Sequence, residues 1–270
     1  MNSHSEKVRD FYNEYNHKFV QVYGNIIQAF RTKNIDKYLA YTDQSIGFFD
    51  NGIALDAGCG IAGPAIYFAK QHPNLKIEAC TISGEQRLSA SKLIEENKLQ
   101  NQINCRELDY HHIDSAYDSK HFNVIYFLES FGHSNKQQEL IHTSWNALKE
   151  EGVLYIKDLF RKEYEDEWMQ LRSDEIVSSI NRSYQYYVPE LSEVLSSIRK
   201  KGFIIDFIRS PQVEIGDFEH LSISNEFQNI FDVDKIESWD DYVFPIDFYE
   251  IRAVKPKDYF RDLHLHHLNK

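Results

Sequence analysis

Two short stretches concentrate side chains that can do chemistry. The first is Asp56-Ala57-Gly58-Cys59-Gly60-Ile61-Ala62-Gly63. Glycines at this spacing suit a tight turn whose backbone takes positive φ and passes close to a ligand. The second is Leu128-Glu129-Ser130-Phe131-Gly132-His133. A carboxylate and an imidazole four residues apart offer a general base, or a negative charge to face a cation formed during reaction.

The glycine spacing also satisfies the dinucleotide pattern, so it leaves two ligand classes open. A dinucleotide fold ends its second strand in an acid that holds the ribose, about 20 residues past the glycines. Here that run reads Ala79-Cys80-Thr81-Ile82-Ser83, with Glu78 placed inside the strand. Asp56, just before the first glycine, can hold loop amides and favours a cationic ligand over a pyrophosphate. S-adenosyl-L-methionine carries a sulfonium, an ammonium and no phosphate, and fits better than NAD. Methyl transfer needs in-line alignment and exclusion of water. For an oxygen or nitrogen acceptor His133 could be the base. For an alkene, Glu129 with nearby aromatic faces could stabilise the carbocation.

Hydrophobic periodicity places the elements that must position these groups. Val8, Phe11, Tyr12, Tyr15, Phe19, Val22, Tyr23, Ile26 and Ile27 form one helical stripe, and a short helix follows at 35–42. Strands are expected at 53–56, 76–81, 103–107, 122–128, 153–156, 203–208 and 247–254. Helices are expected at 64–71, from Ser83 onward, at 136–148, in part of 161–182 and at 189–201. Ser83 with Gln86 reads as a capping box. Strands alternating with helices imply an α/β, Rossmann-like fold with a mostly parallel sheet and helices on both faces. Ligands in such sheets lie beyond the carboxyl ends of the strands, where both chemical stretches fall. The connection 209–246 exceeds the usual length, so an inserted helix is expected at 219–238, followed after the last strand by a surface tail at 256–270.

A chain of 270 residues with 42% hydrophobic content can bury a substantial core. The aromatic share of 14% supplies large core side chains and could line a pocket for an apolar or cationic ligand. A net charge of −12 argues against nucleic acid and polyanionic membranes as partners. Cys59, Cys80 and Cys105 read as reduced, buried thiols, which points to a cytoplasmic location. No apolar leader region and no apolar run of spanning length is present, so no membrane span is expected. His111-His112 and His264, His266 and His267 lack Cys or acid ligands at a fixed spacing, so no metal is expected. Glu163, Glu165, Asp166 and Glu167 read as a solvated helix face.

Residues 53–63 resemble motif I of class I S-adenosylmethionine-dependent methyltransferases. Thr81-Ile82-Ser83-Gly84-Glu85-Gln86 is similar to the T-L-S-x-x-Q segment of the cyclopropane fatty acid synthase, tocopherol methyltransferase and geranyl diphosphate C-methyltransferase group. Val8-Arg9-Asp10-Phe11-Tyr12-Asn13 resembles that group's V-x-x-Y-Y-D cap segment, and Tyr23-Gly24 sits where the group often has Trp-Gly. Glu129 to His133 looks like the E-S-x-x-H segment of tocopherol methyltransferases, and Glu129 aligns with the glutamate of geranyl diphosphate methyltransferases. Residues 188–203 resemble the segment leading into the group's sixth strand, so the resemblance spans about residues 8–210.

The resemblance implies a site. Asp56, Gly58, Cys59, Gly60, Thr81, Ile82, Gln86, Asp109, Tyr110 and Leu128 would surround the cofactor. Within that set, Thr81 and Gln86 would meet the ribose, and Asp109 and Tyr110 the adenine. Glu129 and His133 would be catalytic, and Tyr12, Tyr23, Tyr184 and Tyr187 would line the acceptor side. It implies one methyltransferase domain over 1–270: a helical cap at 1–50, a cofactor core at 51–160, a cap insertion at 161–187 and the C-terminal part of the core at 188–270. The partner would be a small-molecule acceptor. The Glu129 segment tilts the reading toward a carbon acceptor on a lipid- or isoprenoid-like compound. An O- or N-methyltransferase of a natural product, modified peptide or amine stays open, as do a cofactor-binding protein and a nicotinamide oxidoreductase. A prenyl diphosphate would need a basic cluster, for which Arg31, Lys33, Arg161, Lys162 and Arg182 are available. The sequence carries no signal of oligomeric state.

Overall fold

The computed structural model describes residues 3–30, 32–213 and 243–257. The helix expected at 219–238, the tail from 258, His264, His266, His267 and Arg31 lie outside the described residues. The element order is α1 (His4–Tyr23), α2 (Ile35–Ile46), β1 (Ile53–Ala57), α3 (Gly63–Gln71), β2 (Lys76–Thr81), α4 (Gly84–Glu96), β3 (Ile103–Glu107), α5 (Ile113–Ala116), β4 (Phe122–Leu128), α6 (Gln137–Ala147), β5 (Leu148–Arg161), α7 (Glu167–Ser183), α8 (Leu191–Lys201), β6 (Ile204–Arg209) and β7 (Ile246–Val254).

The seven strands form one sheet in the order β3-β2-β1-β4-β5-β7-β6. The pairings from β3 through β5 are parallel, and β7 runs antiparallel between β5 and β6. This is the α/β arrangement expected from the alternation of elements. Successive strand residues enter opposite faces, as the two-residue period requires. Leu55, Ile125, Phe127, Leu154 and Ile156 pack on one face. Ala54, Val124, Tyr126, Val153 and Tyr155 pack on the other. Strand order reverses at β1 and β4, whose carboxyl ends diverge and open a crevice there.

The ends of the helices follow local chemistry. Ser3 and Glu6 close a capping box on α1. The apolar stripe continues to Ile27, but α1 stops at Tyr23 because Gly24 turns to φ 63°. Ser83 accepts from the amide of Gln86, as a cap should. The reciprocal half of the expected capping box is missing, because the Gln86 carbonyl is taken by Thr81. α8 ends at Gly202, at φ 112° under the Trp145 ring.

β5 corrects the sequence reading most. It was expected over 153–156 and runs over Leu148–Arg161. Lys157 and Asp158 look like a polar stop, yet both are fully buried, and β7 pairs with β5 from Val153 to Arg161. Cys59 and Cys80 are buried free thiols, but Cys105 is only half-buried. Among the described residues no helix is long and apolar enough to cross a membrane.

Candidate active site

The β1–β4 crevice holds a pocket that spans about 820 Å³ when its open mouth is included. The glycine loop, the end of β2, the turn after β3 and the end of β4 supply three of its walls. The N-terminal segment closes the fourth through Ser5, Val8, Tyr12, Asn25, Ile27 and Gln28. Every residue expected around the cofactor lines this pocket: Asp56, Gly58, Cys59, Gly60, Thr81, Ile82, Gln86, Asp109, Tyr110 and Leu128. So do Glu129, His133 and Tyr12.

The loop is shaped by close contacts. Gly58 has φ 86°, and a Cβ there would lie 2.5 Å from Cβ of Ser130. Gly60, at φ 54°, would meet nothing closer than 3.9 Å. At Gly63 a Cβ would fall 1.8 Å from the Asn25 carbonyl oxygen, so glycine lets the N-terminal segment seat on the start of α3. Amides of Gly58 and Cys59 both donate to the Cys80 carbonyl at 2.9 Å, which ties the loop to β2.

Asp56 is 2% exposed, and its Oδ2 has no hydrogen-bond partner within the protein. Burial pushes its carboxyl up to about 7, against the nearby Tyr126 hydroxyl, which favours the charged form without meeting hydrogen-bond geometry. An orphaned buried carboxylate oxygen beside a glycine loop is what a cationic ligand with amide or hydroxyl donors would satisfy. At the end of β2, the Thr81 hydroxyl donates to Oε1 of Gln86 at 2.7 Å, and the Ser83 amide donates to Thr81 at 3.2 Å. These bonds fix the Gln86 amide with its Nε2 toward Gly60. The orphaned Asp56 oxygen beside the glycine loop and the oriented Gln86 amide therefore fit S-adenosyl-L-methionine.

Asp109 is more committed than the sequence suggests. Its Oδ1 accepts from the amide of His111 at 3.0 Å and pairs with Nδ1 of that ring at 2.6 Å. Burial would raise its pKa, but the His111 bonds prevail and hold it at about 2. His111, weighed in the sequence only as a metal ligand, passes the chain on to Ser134 at 2.7 Å. The Tyr110 hydroxyl donates to the Ser130 carbonyl at 3.0 Å, which anchors the ring in the wall.

His133 is 8% exposed. Its Nδ1 faces the Gln185 carbonyl at 3.2 Å, and its Nε2 faces the Tyr12 hydroxyl at 2.7 Å. A ring that donates from Nδ1 to a carbonyl accepts at Nε2, so Tyr12 is the donor there. Burial lowers the His133 pKa to about 4, which keeps the imidazole neutral. Tyr186 packs edge-on against it, with ring centroids 4.3 Å apart.

Glu129 sits at φ 56°, a conformation few non-glycine residues adopt and one that clusters at functional sites. Its carboxylate accepts from the amides of Ala29 at 2.5 Å and Phe30 at 3.2 Å, and from Nζ of Lys157. Both side chains of the pair are buried, at 5% and 1% exposure. Burial works against the Lys157 charge, but Glu129 and Tyr38 outweigh it and leave its pKa raised. Behind this pair, Asp158 accepts from the Tyr186 hydroxyl and from the amides of Gly132 and Leu159. Burial pushes Asp158 up to about 7. Lys157 and Asp158 were missed in the sequence. Their signal was an adjacent base and acid after four apolar strand residues.

Three expected acceptor-side tyrosines are not in the pocket wall. Tyr23 packs with Phe11 and Phe19 in an aromatic cluster of α1. Tyr184 packs beside Val177 and Tyr186. Tyr187 is 55% exposed, because its amide is tied to the Gly132 carbonyl at 2.6 Å and its ring is turned outward. The tyrosine turned inward is Tyr186. Among the described residues no group of three or more His, Cys, Asp or Glu side chains could hold a metal ion.

Solved structures share this architecture. The [4+2]-cyclase SpnF superposes with a TM-score of 0.71 at 17% identity, covering 93% of this chain and 97% of its own. Geranyl diphosphate C-methyltransferase from Streptomyces coelicolor A3(2), solved with Mg2+, geranyl diphosphate and S-adenosyl-L-homocysteine, gives 0.70 at 13% identity, covering 94% and 98%. A putative sarcosine dimethylglycine methyltransferase from Galdieria sulphuraria gives 0.69 at 14% identity, covering 90% and 98%. At these identities the likeness establishes the fold. Residues 44–215 match the family model described as mycolic acid cyclopropane synthetase, and the chain belongs to that family of S-adenosylmethionine-dependent methyltransferases.

Proposed function

We propose that this enzyme methylates a small, largely apolar acceptor, with a carbon atom of a lipid- or isoprenoid-like compound as the receiving centre. The Tyr12–His133 pair takes the proton that methylation releases. The observation that carries the reading is the Tyr12 hydroxyl donating to a neutral, buried His133 at the pocket wall. When bound, S-adenosyl-L-methionine supplies an electrophilic methyl carbon with a neutral thioether as leaving group. Asp56 and the glycine loop hold its charged end, while Val8, Ile27, Ile61 and Leu128 keep water from the pocket. The acceptor's electron pair forms the new bond to the methyl carbon, and the breaking sulfur–carbon pair stays on sulfur. The acceptor then loses a proton to the Tyr12 oxygen, and Tyr12 passes its own proton to Nε2 of His133. Glu129 faces the same pocket as an anion and would stabilise positive charge on an alkene-derived cation.

Support for a carbon acceptor comes from the family's name and from the geranyl diphosphate C-methyltransferase among its structural neighbours. A second reading, an O- or N-acceptor, is favoured by the occupancy of Glu129. Three donors already satisfy that carboxylate, so less of its charge is left for a carbocation. In either case Tyr12 and His133 do the proton work. The test is an acceptor screen with trideuteromethyl donor, followed by fragmentation of the product. A label on carbon supports the first reading, and a label on oxygen or nitrogen replaces it with the second.

A further inference from the structure

Lys157 has three N–H donors. Their acceptors are Glu129 at the end of β4, Oε1 of Gln28 at 3.0 Å, and the Tyr38 hydroxyl on α2. The ammonium also sits 4.9 Å from the ring centroids of both Phe30 and Tyr38. Gln28 and Glu129 line the pocket, and Lys157 does not. The Glu129 carboxylate in turn accepts the amides of Ala29 and Phe30. The N-terminal segment is thus fastened at two points, by Asn25 seated on Gly63 and by residues 28–30 bound to the Glu129–Lys157 pair.

We propose that Lys157 is a positioning residue for the cofactor: its charge keeps Glu129 ionised and so straps residues 25–30 onto the pocket. An ionised carboxylate can accept two amides and an ammonium together. A carboxylate this buried and without a cation takes up a proton or opens to water. Protonated, it holds both amides more weakly, because a hydrogen bond to a carboxylate is roughly twice as strong as one to a neutral carboxyl. Either course loosens the strap, and with it Asn25, Ile27 and Gln28 in the pocket wall. The inference needs the cofactor pocket but not the identity of the acceptor.

The charged and titratable groups facing Glu129 are Lys157 and Asp158 on β5, Tyr12 on α1, Tyr38 on α2, and Tyr186 ahead of α8. Burial raises all three tyrosines, so they stay neutral through pH 9. The Glu129 charge helps to raise Asp158, so wild type and variants are compared in a common Asp158→Asn background, where the difference isolates the pair.

The experiment is calorimetric binding of S-adenosylhomocysteine from pH 6 to pH 9, with the full chain. Lys157→Met keeps the stem over the rings and removes the charge. Its affinity should fall by about tenfold or more, the loss growing as pH rises, because the closed state then favours protonated Glu129. Glu129→Gln, which strands the lysine, should show a loss that shrinks as pH rises. The double variant should bind more tightly than either single variant and lose both added pH trends. Amide exchange at Ala29 and Phe30 should quicken in Lys157→Met while β2 amides hold. Wild-type affinity and pH profile in Lys157→Met would overturn the proposal. So would a double variant no better than the single ones. If Lys157→Met does not fold, the comparison of Glu129→Gln with the double variant decides in the same way.

Discussion

The Tyr12 hydroxyl and Nε2 of His133 meet at 2.7 Å although 121 residues separate them in the chain. α1 therefore supplies part of the chemical wall rather than only a cover. Its aromatic stripe splits accordingly: Phe11, Phe19 and Tyr23 pack together, and Tyr12 turns to the pocket.

Tyr12→Phe should keep the ring packing and remove the relay. Single-turnover methyl transfer should slow by about 10- to 100-fold, in the range for losing a positioned acid–base group, with cofactor affinity nearly unchanged. Because burial holds His133 down to about 4, the wild-type rate should show no acid limb near 6.5 that depends on His133. Such a limb, abolished by His133→Ala, would mean that the imidazole is exposed and titrates normally.

At the ribose end, Gln86→Ala should weaken S-adenosylhomocysteine binding by about 1 to 3 kcal/mol, the span for a lost buried hydrogen bond. Thr81→Val should have a smaller effect of the same sign. It removes the bond that orients the Gln86 amide but leaves the amide itself. A larger loss in Thr81→Val than in Gln86→Ala would place the ribose contact on Thr81.

Much of this site was legible because it is local. The glycine loop, Thr81 to Gln86 and Asp109 each follow a short run that reads as a strand in the sequence, and strand ends in a parallel sheet converge. What stayed hidden depends on contacts between distant segments. Lys157 and Asp158 read as a strand terminator, because nothing local says that Glu129 and Tyr186 will meet them. Tyr187 was preferred over Tyr186 because the local sequence cannot fix which of two adjacent rings turns inward. That is decided by the bond from the Tyr187 amide to the Gly132 carbonyl. Gly58 was read as clearance for a ligand, whereas its nearest obstruction is Ser130.

That last point changes what a substitution there reports. Gly58→Ala places a Cβ within 2.5 Å of the Ser130 side chain at φ 86°. Strain of about 1 to 3 kcal/mol should appear as a lower melting temperature even without ligand. Gly60→Ala, with open space around it, should cost less stability than Gly58→Ala. Equal melting temperatures for the two variants would contradict this assignment.

Asp158 should make stability pH-dependent in a defined direction. Its folded pKa, raised to about 7, exceeds the usual carboxylate value, so the folded state binds more protons than the unfolded chain between those limits. Its contribution to stability is full below the ordinary carboxylate range, is lost as pH rises from there to about 7, and stays level above that. Asp158→Asn removes that term along with a constant loss of hydrogen bonding. The melting temperature of the variant minus that of wild type should therefore rise from pH 5.5 to pH 8.5. A difference that is flat or falls over this window would mean that Asp158 is ionised throughout.

The charge of the acceptor can also be predicted. Among the described residues, no Lys or Arg lines the pocket. All three donors of Lys157 are engaged. Of the other cations named for a diphosphate that lie among the described residues, Arg161 is bound to Asp174 and Glu190, Lys162 is paired with Asp247, and Lys33 and Arg182 are exposed at the surface. The Glu129 carboxylate would repel an anion, as would Asp56 and Asp158 above about pH 7, and the whole chain carries −12. A diphosphate held by even one charge-assisted hydrogen bond would gain about tenfold or more in affinity over the matching alcohol. Geraniol should therefore compete for the acceptor site at least as well as geranyl diphosphate, measured against S-adenosylhomocysteine-loaded protein with and without Mg2+. A tenfold preference for the diphosphate, abolished by high salt, would mean that cations outside the described pocket lining converge on it, and would return a prenyl diphosphate to the acceptor site.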